Sequence, residues 1–293
     1  MKTLSKSIFA LILSFGLASA AFGQGGVTLK PNLVVGKAYT IVQKMNMTMP
    51  NPAGAGEVGT DMEYATSVKV AAAEKEGHKN VSVAFEAAKM KMSMGGQVLE
   101  FDSTDENNQN PMLKMSMGPM MDMKFTALYD QNDEFVEVVD APKGGGGPMG
   151  PAMGEAEFRQ MVDSLVNHGF PDKPLKPGDT WEHTIDMPMG QLGKMETKMN
   201  YTFAGMDERN GKKYPKLTFT GEVSGEANVA GNAMIQFKDS DINGWLLWDE
   251  ESGLATYSET DMDMTMAIGG AQGAEMKTKT KATTELVKIE DVE

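Results

Sequence analysis

The feature that most constrains the fold is a set of short runs in which methionine alternates with polar residues. A period of two is the period of a β-strand, so each run places its thioethers on one face and its polar side chains on the other. The runs are Met45-Asn46-Met47-Thr48-Met49, Met90-Lys91-Met92-Ser93-Met94, Met121-Asp122-Met123, Met187-Pro188-Met189 and Met262-Asp263-Met264-Thr265-Met266. They predict half-buried strands that share an unusually soft, methionine-lined face.

Residues 1–23 have the pattern of a cleaved secretory signal. Lys2 and Lys6 precede a short apolar run, and small residues allow cleavage near Ala20 or Gly23. The apolar run is too short to span a bilayer, and a polar chain follows it. We expect an exported protein, periplasmic or extracellular, without a transmembrane segment.

Charge and cysteine content exclude several classes. The chain carries a formal charge of −14 and contains no cysteine. So acidic a chain repels nucleic acid and anionic lipid surfaces, so we expect neither as a partner. Without cysteine there is neither a disulfide framework nor a lipid anchor on a mature N-terminal cysteine, and the fold must be held by packing alone.

The strand patterns fall into two similar halves. Gly36-Lys37-Ala38-Tyr39 lines up with Gly178-Asp179-Thr180-Trp181, and Met62-Glu63-Tyr64 lines up with Met199-Asn200-Tyr201. We interpret residues 24–140 as a first β-meander repeat, 141–153 as a Gly/Pro-rich connector, and 154–293 as a helix plus a second repeat, with 24–293 forming one continuous domain. Chance similarity between two sets of alternating strands is the alternative.

Two local patterns refine this picture. Phe158, Met161, Val162, Leu165 and Val166 form one apolar stripe at helical spacing, which predicts a helix closed by Gly169. In the first repeat the apolar parity switches at Ala87-Ala88, which predicts a bulge or a break between two strands. The expected fold is mainly β, an antiparallel meander curved into a half-barrel or barrel-like sheet from two repeats, with one helix.

The methionine runs allow three functions. Methionine can simply fill the inward positions of a sheet, or its flexible and polarizable side chain can line an adaptable cavity for an apolar ligand. Thioethers are also soft ligands that select Cu(I). The candidate ligand-lining residues are Met45, Met47, Met49, Met90, Met92, Met94, Met262, Met264 and Met266.

A second motif suggests calcium. Asp239-Ser240-Asp241-Ile242-Asn243-Gly244, followed by Glu250, fits the calcium-loop pattern D-x-[DN]-x-[DN]-G-x5-E. Its flanks look like strands rather than the helices of an EF-hand, and a plain β-turn at Asp241–Gly244 is the alternative.

The sequence contains none of the common catalytic motifs considered below. The chain lacks the G-x-S-x-G, G-K-[ST] and H-E-x-x-H motifs, and its three histidines are His78, His168 and His183. The helix dipole is expected to favour the charged form of His168 at the end of the predicted helix. We therefore expect no enzyme and no cofactor.

The segment Pro171-Asp172-Lys173-Pro174-Leu175-Lys176-Pro177-Gly178-Asp179-Thr180-Trp181 resembles the P-x-x-P-x-x-x-G-D-x-W signature of a family of exported bacterial β-rich proteins classed as a domain of unknown function. The resemblance extends along most of the mature length, from a G-x-x-Y opening through methionine-rich strands. It implies an exported β-rich protein and carries over no catalytic residues. Many members are lipoproteins, and this chain departs from them in lacking the cysteine. The resulting hypothesis is an envelope protein that binds a lipid or other apolar ligand, with a structural or interaction protein as the alternative.

Overall fold

A computed structural model describes residues 26–51, 56–107, 110–141, 159, 168–188, 193–229, 233–269 and 274–292. The strands are β1 (Lys37–Pro50), β2 (Glu57–Ala72), β3 (Lys79–Met94), β4 (Gln97–Asp102), β5 (Lys124–Tyr129), β6 (Phe135–Asp140), β7 (Thr180–Pro188), β8 (Gly193–Arg209), β9 (Lys212–Val229), β10 (Ala233–Asp249), β11 (Leu254–Ile268) and β12 (Ala274–Asp291). Helix α1 spans Pro111–Met121. No helix within these ranges is long and apolar enough to cross a membrane.

All strands belong to one antiparallel sheet. Its order is β6-β5-β3-β2-β1-β12-β11-β10-β9-β8-β7, with β4 pairing the second half of β3. The first and last strands therefore pair at the centre, from Lys37 opposite Asp291 to Thr48 opposite Lys279. The two edges are β6 and β7, and no ladder joins them within the described ranges. The expected mainly β antiparallel meander is confirmed, and the sheet is open.

One tight turn follows directly from its local sequence, and the predicted bulge is confirmed. Asn210 and Gly211 have φ of 53° and 78° and form the tight turn between β8 and β9. In β3 the register shifts so that Thr66 pairs Phe85 while Ala65 pairs Ala87. This bulge lets Val83 and Met90 lie on the same face although their parity differs. The parity switch therefore marks a bulge inside one long strand.

Helix α1 was not predicted from the sequence. The stripe from Phe158 to Val166 falls outside the described residues, apart from Arg159, which is helical. Met121, which belongs to a methionine run predicted to be a strand, instead ends α1, and β5 begins only at Lys124. The Asn110 side chain caps α1 by accepting from the backbone N–H of Met112 and Leu113, and Pro111 fills the first turn.

One face of the sheet carries the core in two clusters. The first joins β1, β2, β3 and β5 and contains Tyr39, Phe125 and Tyr129. The second joins β8, β9 and β10 and contains Phe203 and Trp248. We call the part of the sheet that holds these five side chains the ring end, and the part that holds the three long methionine runs the methionine end.

A strap of residues 26–34 ties the two clusters together. Val27 and Leu175 exchange backbone hydrogen bonds of 2.9 and 2.7 Å, and Asn32 Nδ2 donates to the Glu251 carbonyl at 2.9 Å. Leu29 belongs to the second cluster and Leu33 to the first. Each half of the sheet therefore gains one buried leucine from the same segment.

Candidate functional site

The three methionine runs lie on one face of the sheet. Met45 pairs Met62, which pairs Met90, so one row of thioethers crosses β1, β2 and β3. Met47 pairs Thr280, which pairs Met262 on β11. Directly opposed residues in an antiparallel ladder point to the same side, so all three runs share a face. The shared orientation predicted from their alternation is confirmed.

The exposure of these side chains distinguishes the methionine end from a closed core. Eight of the candidate residues, all except Met94, are half-buried, and Met94 is 40% exposed. The positions between the runs are small and buried, namely Val58, Thr60, Thr278 and Thr280. The face is thus a floor of short side chains with flexible thioethers standing beside them. Thioethers with three rotatable bonds can repack around differently shaped apolar ligands.

Helix α1 covers one part of this face. Its Leu113 is 3% exposed and forms a small cluster with Ala88 and Phe101. Partly buried residues packed against that cluster are Tyr64, Met90, Met92, Leu99, Met117, Met120 and Met121. Met90 and Met92 therefore lie beneath α1, whereas the runs on β1 and β11 do not belong to this cluster.

The opposite face of the same strands carries charge. A groove of about 580 Å³ crosses β4, β3, β2, β1 and β12 and is lined by Lys44, Met45, Asn46, Asp61, Met62, Glu63, Lys89, Met90, Lys91, Glu100, Phe101, Asp102, Lys281 and Thr283. Its polar members all have the parity opposite to the methionines. Cross-strand ion pairs bridge it, including Lys44–Glu63 and Lys89–Asp102 at 3.1 Å and Lys91–Glu100 at 3.3 Å. Because its charges neutralise one another across strands, the groove has the character of a solvated face.

Both interpretations of the segment 239–250 are wrong, the calcium loop and the plain β-turn at Asp241–Gly244. Residues 239–250 do not form a loop, since β10 runs through Asp249 and Ile242 is buried in the second cluster. The pairing of β10 with β9 is interrupted there, and the Ser240 hydroxyl replaces it by bonding the N–H and the carbonyl of Val223. The polar residues had suggested a loop or turn. They lie instead at a break in the β9–β10 pairing, where the Ser240 hydroxyl replaces the missing backbone partners. In the part of the chain that the structure describes, no three His, Cys, Asp or Glu side chains cluster as a metal site.

The resemblance segment leads into an aromatic cluster that sequence reasoning missed. Trp181 stacks on Tyr201 at 5.3 Å, and Trp181 Nε1 donates to the carbonyl of His168 at 3.2 Å. The His168 ring lies 5.5 Å from Trp248 and 5.6 Å from Phe170.

Burial in this cluster sets its protonation. Burial, with a smaller contribution from His183, lowers the pKa of His168 to about 4, so the expectation of a charged His168 is wrong. Burial likewise raises the pKa of Tyr201 to about 12. Both groups are neutral at pH 7, and the cluster functions as packing at the ring end.

Comparisons with known proteins give a loose likeness of fold. No protein-family model matches the chain, and no curated protein matches it by sequence. Lipovitellin, in a structure describing lipid–protein interactions, is similar at TM-score 0.46 and 9% identity, over 89% of this chain and 26% of its own. A putative exported protein with a YmcC-like fold from Bacteroides fragilis is similar at TM-score 0.27 and 10% identity, over 90% of this chain and 100% of its own. The hypothetical lipoprotein YmcC from Escherichia coli is similar at TM-score 0.19 and 10% identity, over 90% and 92%. With TM-scores below 0.5 these likenesses do not indicate a function.

Proposed function

We propose that this chain is an exported, non-catalytic envelope protein that binds a lipid or another apolar ligand on its methionine face. The observation that carries the proposal is the cross-strand register, which aligns three separate methionine runs on one half-buried face. The signal pattern of residues 1–23 and the resemblance of Pro171–Trp181 to exported β-rich proteins support the compartment.

The chemistry of the face favours an apolar ligand over an ionic one. Its floor is Val58, Thr60, Thr278 and Thr280, and its walls are thioethers, so it offers apolar contact together with threonine hydroxyls, and its described lining residues carry no charge. The formal charge of −14 disfavours anionic molecules. A neutral or zwitterionic lipid, or another uncharged apolar molecule, fits these properties best.

The first experiment asks whether the protein carries a ligand. The full chain is exported in a bacterial host, purified without detergent and measured by native mass spectrometry. A lipid-sized adduct that disappears after solvent extraction is the expected result. After extraction, the apo protein is titrated with an uncharged fluorescent apolar probe, such as the methyl ester of cis-parinaric acid.

Paired variants on β11 locate the binding face. M262Q/M264Q keeps side-chain length but places amides against the ligand, and we expect affinity to fall about tenfold or more per amide left unpaired. M262L/M264L should bind within about threefold of the wild type, since the two apolar side chains are similar in volume. D261N/D263N lies on the opposite face and should bind as the wild type does. If neither adduct nor probe binding is found, the structural alternative of a methionine-filled interior replaces the proposal. If the three double variants bind equally, the ligand binds elsewhere and the methionine face is not the site.

A further inference from the structure

The methionines of α1 are unusually accessible for a helix that packs on a sheet. Met115 is 62% exposed and Met112 is 53% exposed. The chain contains 27 methionines and no cysteine, so thioethers are its only sulfur groups. Exposed thioethers are the common targets of mild oxidants, and in this chain no thiol competes for them.

The attachment of α1 to the sheet also depends on methionine side chains. Among the helix side chains that the structure describes, Leu113 is the one that is fully buried, and Met117, Met120 and Met121 complete the contact with the cluster of Ala88, Phe101 and Leu113. On the sheet side Met90 and Met92 pack against that cluster as well. Both surfaces of the contact are therefore rich in thioethers.

Oxidation of these residues is a balanced two-electron reaction. A thioether sulfur attacks one oxygen of hydrogen peroxide, the O–O bond breaks, an S–O bond forms, and the peroxide is reduced to water while the sulfur loses two electrons. The product sulfoxide is polar and accepts hydrogen bonds, so it is poorly tolerated in an apolar contact without donors.

We propose that the methionines of α1 form an oxidation site that controls the docking of this helix. Peroxide converts Met112 and Met115 first, because they are exposed, and then Met117, Met120 and Met121. Sulfoxides at the three inner positions release α1 from β3 and β4 and uncover Met90 and Met92. This inference is independent of ligand binding, because it concerns the helix rather than an occupant of the face.

The test treats the mature full chain with increasing hydrogen peroxide. Peptide mass spectrometry gives the occupancy of each sulfoxide, and hydrogen–deuterium exchange follows residues 111–121. We expect the exposed pair to oxidise before the inner three. Exchange protection of α1 should fall about tenfold or more as the inner three oxidise, while β1 and β9 at the ring end remain protected. Methionine sulfoxide reductase should restore the protection.

Two matched variants separate the roles of the inner and outer methionines. M117L/M120L/M121L keeps the apolar contact and removes the oxidisable sulfur from the helix side of it. Met90 and Met92 on the sheet side lie beneath the helix, so α1 should stay protected after peroxide. M112L/M115L removes only the exposed thioethers, so release should still occur. The proposal is overturned if the inner-leucine variant loses protection as the wild type does, or if α1 stays protected once the inner methionines are oxidised. Failure of the inner methionines to oxidise after the exposed pair is complete also overturns it.

Discussion

The ring end and the methionine end share strands and share a face, yet they pack differently. Along β1 the inward side chains change from Tyr39, which is 1% exposed, to the half-buried Met45, Met47 and Met49. Aromatic rings are large and have few rotors, so once buried they fix one arrangement. Thioether side chains are flexible and keep several arrangements. The comparison indicates that the strand period sets which side chains face inward, while the kind of side chain decides whether that face becomes a closed core or an adaptable surface.

The largest expected effect tests whether stability resides at the ring end. Phe203→Ala removes a fully buried ring from the second cluster and should lower the free energy of unfolding by about 3–5 kcal/mol. Met45→Ala, on the same face at the methionine end, should lower it by about 1–2 kcal/mol, because its side chain is only half-buried. Urea denaturation measures both. Equal losses would remove the distinction between the two ends.

The next effect concerns the strap. Gly253 has a φ of 61°, and a Cβ there would collide with the backbone nitrogen of Asn32. Gly253→Ala should therefore cost about 2–4 kcal/mol through strain plus displacement of the strap. Gly211→Ala is the matched control, since Gly211 has a φ of 78° but nothing near its Cβ, and it should cost only about 1–2 kcal/mol. If thermal or urea unfolding gives both variants the same loss, the strap does not pin the ring end.

A third prediction uses pH. His168 has a pKa of about 4 in the folded protein, against an ordinary value of 6.5. Between these values the unfolded chain binds more protons than the folded one, so the contribution of His168 is complete above pH 6.5 and is lost as the pH falls towards 4. The loss should be about 1–3 kcal/mol. His168→Phe should flatten the pH profile of unfolding by that amount, and subtracting the two profiles cancels the carboxylates common to both proteins. Parallel profiles would show that His168 is not a buried neutral ring.

Local patterns were sufficient to predict which side chains share a face of the sheet. They could not predict which distant strands pair with each other. The alternation of Met45, Met47 and Met49, the parity switch near Ala87 and the Asn210-Gly211 turn all depend on neighbours in sequence. The pairing of β1 with β12 joins Lys37 to Asp291, and no local signal specifies a partner so far along the chain. The same limit applies to His168, which is buried against Trp248 of β10, a residue far along the chain.

Other differences arise where one pattern conceals another. In α1 the alternation of Met115 and Met117 and the Gly118-Pro119 pair resemble strand and turn, whereas the Asn110-Pro111 cap is the signal that could have found the helix. The nine candidate methionines were predicted to share a face, and the register confirms it. Whether that face holds a ligand stays a prediction, because alternation alone cannot distinguish a lined surface from a filled one.

A smaller effect is expected from replacing one whole row at the methionine end. Met45 pairs Met62 and Met62 pairs Met90, so the row crosses three strands, and all three side chains are half-buried. Their triple replacement by leucine should change the free energy of unfolding by less than about 1.5 kcal/mol, because leucine is apolar and similar in volume. Circular dichroism and urea denaturation check this. A loss of several kcal/mol would mean that the row packs as specifically as the rings do.

The smallest effect concerns the charged ladder behind that row. Lys91 and Glu100 lie 3.3 Å apart with side chains 52% and 46% exposed, so a double-mutant cycle should give a coupling of about 0.2–1 kcal/mol. The coupling should weaken towards zero in 1 M salt, where charges are screened within about 3 Å.

Lys79 and Asp133 form the matched pair at the ring end, where both side chains are largely buried and Lys79 also donates to the Leu33 carbonyl at 2.9 Å. Their coupling should be larger and should persist in salt, because water and counterions reach them less. If the two couplings have the same size and the same salt dependence, the two ends do not differ in solvent access. The contrast between a closed end and an adaptable one would then rest on side-chain flexibility alone.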